Sequence, residues 1–299
     1  MPESTEVSDP AADRASGTGG VEGAVPRAGE TPAACQLADV PAAFDRAAAT
    51  YDRMVNLNPG YHRHLQAAAD ALVEKLPVGS GLTVVDLGCG SGASTDALVN
   101  SMGHRGQAYT AIGVDGSAGM LEQARSKPWP TWVSFAQARA EELSRVVGEG
   151  GHGADGAVGA AGNGSHGSAG AGGSDAVVAG VLAAYLFRNV ADRDAVLRSV
   201  WELLAPGGVL VVQDYSVAGS PKARARWNAV SWSVVIPLSK VINRDTGIYR
   251  YLWRSVLDND SVDDFAARMI GAGYTEVEHR TAGGWQRDIL HTFRGRKPA

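Results

Sequence analysis

Val84-Val85-Asp86-Leu87-Gly88-Cys89-Gly90-Ser91-Gly92 is the stretch that decides the fold of this chain. The β-branched, apolar run Thr83 to Leu87 reads as a strand buried on both faces. Gly88, Gly90 and Gly92 then let the backbone turn tightly and a ligand come close, because no Cβ stands in the way. A helix starting near Ala93 points its free amides at that ligand. Asp115 ends the next strand, Tyr109 to Val114, where its carboxylate can accept hydrogen bonds from two ribose hydroxyls. The pairing is an address for a nucleoside-bearing cofactor. Gly88-x-Gly90-x-x-Ala93 also satisfies the loose dinucleotide fingerprint. Asp86 argues against that reading, since a carboxylate there would repel a pyrophosphate but can hold polar cofactor groups through bound amides or water.

Outward from the turn, strand and helix patterns alternate. Upstream, Val40, Phe44, Ala48, Tyr51 and Val55 share one helical face with Asp and Arg on the other, and a second helix spans about His62 to Leu76. Downstream come helix 93–102, strand 109–114, helix 117–126, strand 131–136, strand Asp175 to Tyr185, helix Asp192 to Leu204 stopped by Pro206-Gly-Gly, and strand Val209 to Gln213. Aromatic-rich helices follow over Pro221 to Ile242 and Asp245 to Leu257, then a helix over Ser261 to Gly271 capped by a Ser261–Asp264 box. Tyr274 to Thr281 and Asp288 to Phe293 close the chain as an antiparallel pair. The expected fold is α/β: a doubly wound, mostly parallel seven-stranded sheet with an antiparallel C-terminal hairpin and a helical cap. Its ligands sit at the carboxyl ends of the strands.

Residues 1–36 carry almost no large apolar side chain and read as a disordered tail. Residues 37–298 form the domain, with 145–174 a flexible Gly/Ala/Ser-rich insertion and 217–257 the cap. His152 and His166 in the insertion lack partners at ligand spacing, and no metal is expected. The 299 residues, 44% of them hydrophobic and 7 of them Trp, are ample for a core. A net charge of −5 without a basic stripe argues against a nucleic-acid partner. Cys35 and Cys89 make no disulfide framework, and with no membrane-spanning run and no secretory segment a cytoplasmic location is expected.

With these residues in place, the chain resembles a class I S-adenosylmethionine-dependent methyltransferase, and more narrowly the ubiquinone/menaquinone C-methyltransferases. The resemblance runs from about Val40 to Lys297. Phe44-Asp-Arg-Ala-Ala-Ala-Thr-Tyr51-Asp, the glycine turn and Gly113-Val-Asp115-Gly-Ser-Ala-Gly-Met120-Leu carry its first half. Phe187-Arg-Asn-Val190 with Asp192-Arg-Asp, Leu204-Ala-Pro-Gly-Gly-Val209, Ile236-Pro-Leu-Ser-Lys and Tyr249-Arg-Tyr-Leu252 carry the second. Arg139-Ala140 stands where the family has an acid or amide before alanine, and Ala184 where it has serine. A guanidinium cannot accept from the adenine amino group, so Asp115 with the turn, or a neighbour such as Glu141, takes that part. Gly-Gly-Trp285-Gln286-Arg287 replaces a more apolar stretch.

The resemblance implies S-adenosylmethionine held by Tyr51, Asp86, Gly88, Gly90, Ser91, Gly92, Asp115, Gly116, Met120, Arg139, Ala140 and Ala184. Arg188 and Asn189 would face an acceptor ring, Arg188 stabilising a developing phenolate. His291 serves as a base or as a partnered histidine in the sheet, and Tyr51 shuts the cofactor pocket or packs as an ordinary aromatic. Trp227 to Ile242 suits a polyprenyl chain, a membrane surface, or packing on the domain. The expected partner is a small hydrophobic acceptor, a demethylated prenyl-quinol, with peripheral membrane contact and a homodimer as further expectations. The rivals are a phenolic or polyketide-like acceptor, a binding protein that kept the fold, and a hydride-transferring enzyme.

Overall fold

The structure is a computed structural model and describes residues 40–56, 58, 60–77, 79, 81–104, 109–148, 178–242 and 246–299. The expected tail, most of the glycine-rich tract with His152 and His166, and Cys35 lie outside the described residues. Helices α1 (Val40–Asn56) and α2 (Tyr61–Val73) precede β1 (Leu82–Leu87). Then follow α3 (Ala93–Gly103), β2 (Tyr109–Asp115), α4 (Ala118–Arg125), β3 (Val133–Gln137) and α5 (Leu143–Gly148). After the tract come β4 (Val178–Ala184), α6 (Arg193–Leu203), β5 (Leu204–Tyr215), α7 (Pro221–Val230), α8 (Ile236–Ile242) and α9 (Gly247–Leu257). The chain closes with α10 (Val262–Gly271), β6 (Thr275–Thr281) and β7 (Leu290–Arg296).

The seven strands form one sheet in the order β3-β2-β1-β4-β5-β7-β6. The first five are parallel, and β7 runs antiparallel between β5 and β6. Chain direction across the sheet reverses between β1 and β4, so the loops after these two strands diverge and leave a cleft. Side chains alternate across the pleat. Val84 and Leu182 meet Leu65, Leu72 and Leu98 of α2 and α3 on one face, while Val85 and Val181 meet Val196, Leu197 and Phe265 of α6 and α10 on the other. Gly180 makes the first packing close: a Cβ there would lie 2.5 Å from Leu76 Cδ2.

Four local expectations are corrected. Pro206-Gly-Gly ends α6 but already lies in β5, which begins at Leu204 rather than Val209. The register slips between the Val178–Leu204 and Gly180–Val209 pairs, and such a bulge is where a sheet tolerates proline. The expected single helix 221–242 contains a wide π-turn over Ser231–Val235. Pro237 lacks an N–H and crowds the carbonyl four residues back, which opens that turn. The insertion does not start at 145, because 145–148 belong to α5. At α10, Ser261 Oγ accepts from the Asp264 amide at 3.1 Å, but its hydroxyl also donates to the Asp264 carboxylate at 2.6 Å. The acid therefore closes on the cap side chain, not on the cap backbone as a capping box would.

Candidate active site

Two cavities open at the carboxyl edge of the sheet and share Tyr61, Tyr185 and Arg188 in their walls. The first, of about 140 Å³, lies over the glycine turn. Gly88, Gly90 and Gly92 all take left-handed φ values, of 76°, 53° and 92°. A side chain at Gly88 would meet Leu186 at 3.0 Å, and one at Gly92 would meet Trp129 at 2.8 Å, so the turn is a cradle kept open by missing atoms. Asp115 lines the cavity and also braces it: Oδ2 accepts the Gly90 amide at 2.8 Å and Oδ1 accepts the Ser117 amide at 2.8 Å. Burial pushes its carboxyl up, and the Ser117 and Gly90 amides oppose the rise. Each oxygen keeps acceptor capacity for a ribose hydroxyl.

Ser91, Gly116, Met120, Arg139, Ala140, Glu141, Ala184 and Asn189 join Gly88, Gly90 and Asp115 in this wall. Gly92 lies outside the lining and acts through turn geometry. Arg139 is half exposed and its Nε is 3.8 Å from Glu141, which lines the same wall. The donor set fits a nucleoside joined to an amino acid: a carboxylate for the ribose, a glycine turn, and an apolar slot at Met120 and Ala140. The Cys89 thiol lines the same wall, and burial raises it so far that it stays protonated and inert.

One expected cofactor residue is placed differently, and one is left untested. Asp86 does not line the cavity; it is buried behind the turn, where its Oδ2 accepts from Ser94 Oγ at 2.8 Å and Thr95 Oγ1 at 2.6 Å. It anchors α3 to β1, and burial raises its carboxyl to about 6. The side chain of Tyr51 lies outside the described residues, although its backbone is in α1. His291 is buried on β7 opposite Asp214 and lines neither cavity, and burial lowers its imidazole. The sheet, not the site, holds it.

The Asp-bearing face of α1, given no role from sequence, clasps the site. Asp45 Oδ1 accepts from Ser117 Oγ at 2.5 Å and from the Gly119 amide at 2.8 Å, at the N-terminus of α4. Asp52 accepts from the Ser91 hydroxyl and, at 3.0 Å, from Lys127 Nζ. The signal was in the sequence: two acids seven residues apart share one helical face.

At the cavity junction, Arg188 is buried against Asp214, with Nη1 2.5 Å from Oδ1, and its backbone amide donates to Oδ2 at 2.9 Å. Its guanidinium lies over the Tyr185 and Tyr215 rings, at 5.6 and 5.7 Å from their centroids. Asn189 Nδ2 donates to the Tyr185 carbonyl at 3.2 Å, and its Oδ1 accepts from Tyr251 of α9 at 3.2 Å. Asp214, Tyr185 and Tyr215 were missed by sequence reasoning, since an acid and aromatics at strand ends read as core until the strands are laid side by side.

The second cavity, of about 200 Å³, is walled by Tyr249, Leu252 and Trp253 of α9, by Trp227, Val234 and Leu238 from the α7–α8 segment, and by Trp285. Tyr61, Tyr185, Tyr215 and Trp227 stack in a ladder with centroid spacings of 5.4, 5.0 and 5.4 Å. No carboxylate or imidazole lines it among the described residues.

Comparison with known proteins agrees with this geometry. Residues 172–291 match the ubiE/COQ5 methyltransferase family, and residues 85–210 match a general methyltransferase domain. The chain is 29% identical over 261 residues to the ubiquinone/menaquinone biosynthesis C-methyltransferase UbiE of Pseudomonas paraeruginosa, covering 85% of this chain and 87% of that protein. It is 27% identical to UbiE of Shewanella frigidimarina, covering 81% and 84%. Among solved structures, a phosphoethanolamine N-methyltransferase of Haemonchus contortus, bound to phosphomonomethylethanolamine and S-adenosylhomocysteine, shares the fold with a TM-score of 0.54 at 14% identity, over 89% of this chain and 60% of that one. A Haloferax volcanii methyltransferase in complex with the Trm112 methyltransferase activator does so with a TM-score of 0.51 at 18% identity, over 86% and 98%. The protein is a class I S-adenosylmethionine-dependent methyltransferase, with S-adenosylmethionine as its donor. Within that class it resembles UbiE.

Proposed function

We propose that this enzyme methylates a ring carbon of a hydrophobic hydroxyaromatic acceptor, a demethylated prenyl-quinol of the demethylmenaquinol kind. The observation that carries the reading is the aromatic second cavity meeting the donor cavity at Tyr61, Tyr185 and Arg188. The match of residues 172–291 to the ubiE/COQ5 family supports it.

When bound, S-adenosylmethionine supplies a methyl already activated by its sulfonium, so the chain's task is alignment. Asp115 accepts from the ribose hydroxyls, the glycine turn carries the amino-acid end, and Glu141 with the Ala140 amide serves the adenine. The aromatic ladder presents the acceptor ring edge to the donor cavity. Arg188 stabilises the phenolate that raises electron density on the neighbouring carbon, and Asn189 orients the ring. With no carboxylate or imidazole in the second wall among the described residues, the hydroxyl proton passes to solvent. The ring proton follows it as aromaticity returns.

Collection of a lipid acceptor from a bilayer surface belongs to the same proposal. No described helix is long and apolar enough to cross a membrane. The cap does expose Trp232, Val234 and Val241, and residues 217–257 hold seven basic side chains against one acidic in a chain of net charge −5. Recovery of the protein with anionic liposomes on flotation supports this contact; a wholly soluble fraction removes it. The expected homodimer forms no part of the proposal.

The function is tested with labelled S-adenosylmethionine and a lipid extract reduced to quinols. Label in a prenyl-quinol is the expected outcome. Label only in a compact phenolic metabolite would replace the acceptor.

A further inference from the structure

The second cavity carries a polar cluster around Tyr215, where one buried phenol is poorly paired. The Tyr215 hydroxyl oxygen accepts from Asn58 Nδ2 at 3.3 Å and from Gln286 Nε2 at 3.5 Å, which engages both of its lone pairs. The stacked Tyr185 hydroxyl is buried and finds, among the described residues, nothing better than a poorly aligned contact with this already engaged Tyr215 hydroxyl. The Tyr185 proton is therefore poorly paired. Buried donors are rarely left so, because desolvation is not repaid. A phenylalanine would fill the same space without that cost.

The backbone at Tyr185 is equally unusual. The residue sits at φ 60°, in the left-handed region that a side chain disfavours, at the end of β4. Three hydrogen bonds hold it there: its amide donates to the Gln213 carbonyl at 2.7 Å, and its own carbonyl accepts from Arg188 Nη1 at 2.8 Å and from Asn189 Nδ2 at 3.2 Å. Its ring is clamped between Tyr61 and Tyr215. Strain locked from several sides, at a residue shared by both cavity walls, marks a functional position. Burial keeps the phenol well above its ordinary range, so it stays a donor at neutral pH.

We propose that the Tyr185 hydroxyl donates a hydrogen bond to a ring oxygen of the acceptor, making Tyr185 the residue that selects oxygenated rings at the transfer junction. The inference rests on the second cavity being the acceptor site. A site built to bond an oxygen discriminates strongly against a ring that lacks it.

Equilibrium dialysis of the full chain, saturated with S-adenosylhomocysteine, against 1-naphthol and naphthalene tests this. Wild type should bind 1-naphthol about tenfold more tightly than naphthalene. Tyr185→Phe should bind naphthalene as wild type does, lose the tenfold advantage, and melt no lower. A Tyr185→Phe protein that keeps its preference for 1-naphthol, or a wild type that shows none, overturns the proposal and leaves the acceptor cavity standing. Failure of both rings to bind overturns the cavity assignment, and the proposal with it.

Discussion

Arg188 and Asp214 form a buried ion pair, with Nη1 2.5 Å from Oδ1 and both side chains about 5% exposed. Asp214 is the last residue but one of β5 and Arg188 follows β4, so the pair fastens together the two strand ends that carry Tyr215 and Tyr185. Removing one partner strands the other charge. Asp214→Ala is predicted to cost about 3–5 kcal/mol in urea unfolding. Arg188→Met with Asp214→Leu should recover most of that stability while turnover stays lost. Recovered turnover would show that the guanidinium serves the fold alone.

Asp115→Ala should weaken binding of S-adenosylmethionine by about tenfold or more, the worth of one charge-assisted hydrogen bond. Calorimetry reads this directly. An unchanged dissociation constant would place the donor elsewhere.

Asp45 and Asp52 hold α1 across the donor cavity from partly exposed positions, where a single polar contact is worth little. The prediction is correspondingly modest. Asp45→Ala with Asp52→Ala should raise the cofactor off-rate about threefold to tenfold in stopped flow. An unaltered off-rate would mean that α1 does not gate the donor.

Asp86 gives a pH dependence with a definite sign. Its carboxyl rises from an ordinary value near 3.8 to about 6 on folding, so the folded protein holds the proton more tightly than the unfolded chain. Its stabilising effect is therefore complete below about pH 4 and fades as pH rises through 6. The loss should amount to about 2–3 kcal/mol. Asp86→Asn should flatten this part of the profile between pH 4 and 6 in a melting series. An Asp86→Asn profile parallel to wild type would show that Asp86 ionises in the fold as it does in water.

The sheet was legible because its signals are local. The strand at Val84, the turn at Gly88 to Gly92 and the acid at Asp115 each announce themselves within a few residues. Much of the first cavity's lining was legible for the same reason. Asp86 was misplaced because a sequence does not say which face of a strand end a side chain takes, and Ser94 and Thr95 on α3 claimed it. Of the two readings of His291 the base fails and the sheet histidine stands, since its partner strand decides where it lies. Tyr185 and Tyr215 stand thirty residues apart and come together only because β4 and β5 pair in register. Asp45 and Asp52 were given no role because α1 was read without the turn beneath it.

The π-turn at Ser231–Val235 has a further consequence. Residues of the Trp227 to Leu238 segment wall the second cavity, the proposed acceptor site, from a stretch whose winding is already irregular, while the opposite side rests on sheet termini locked by Arg188 and Asp214. A one-residue insertion or deletion in the wide turn would re-aim Val234 and Leu238 without disturbing the donor slot. Acceptor preference in this scaffold is thus free to diversify by edits to a roof, over foundations that stay fixed.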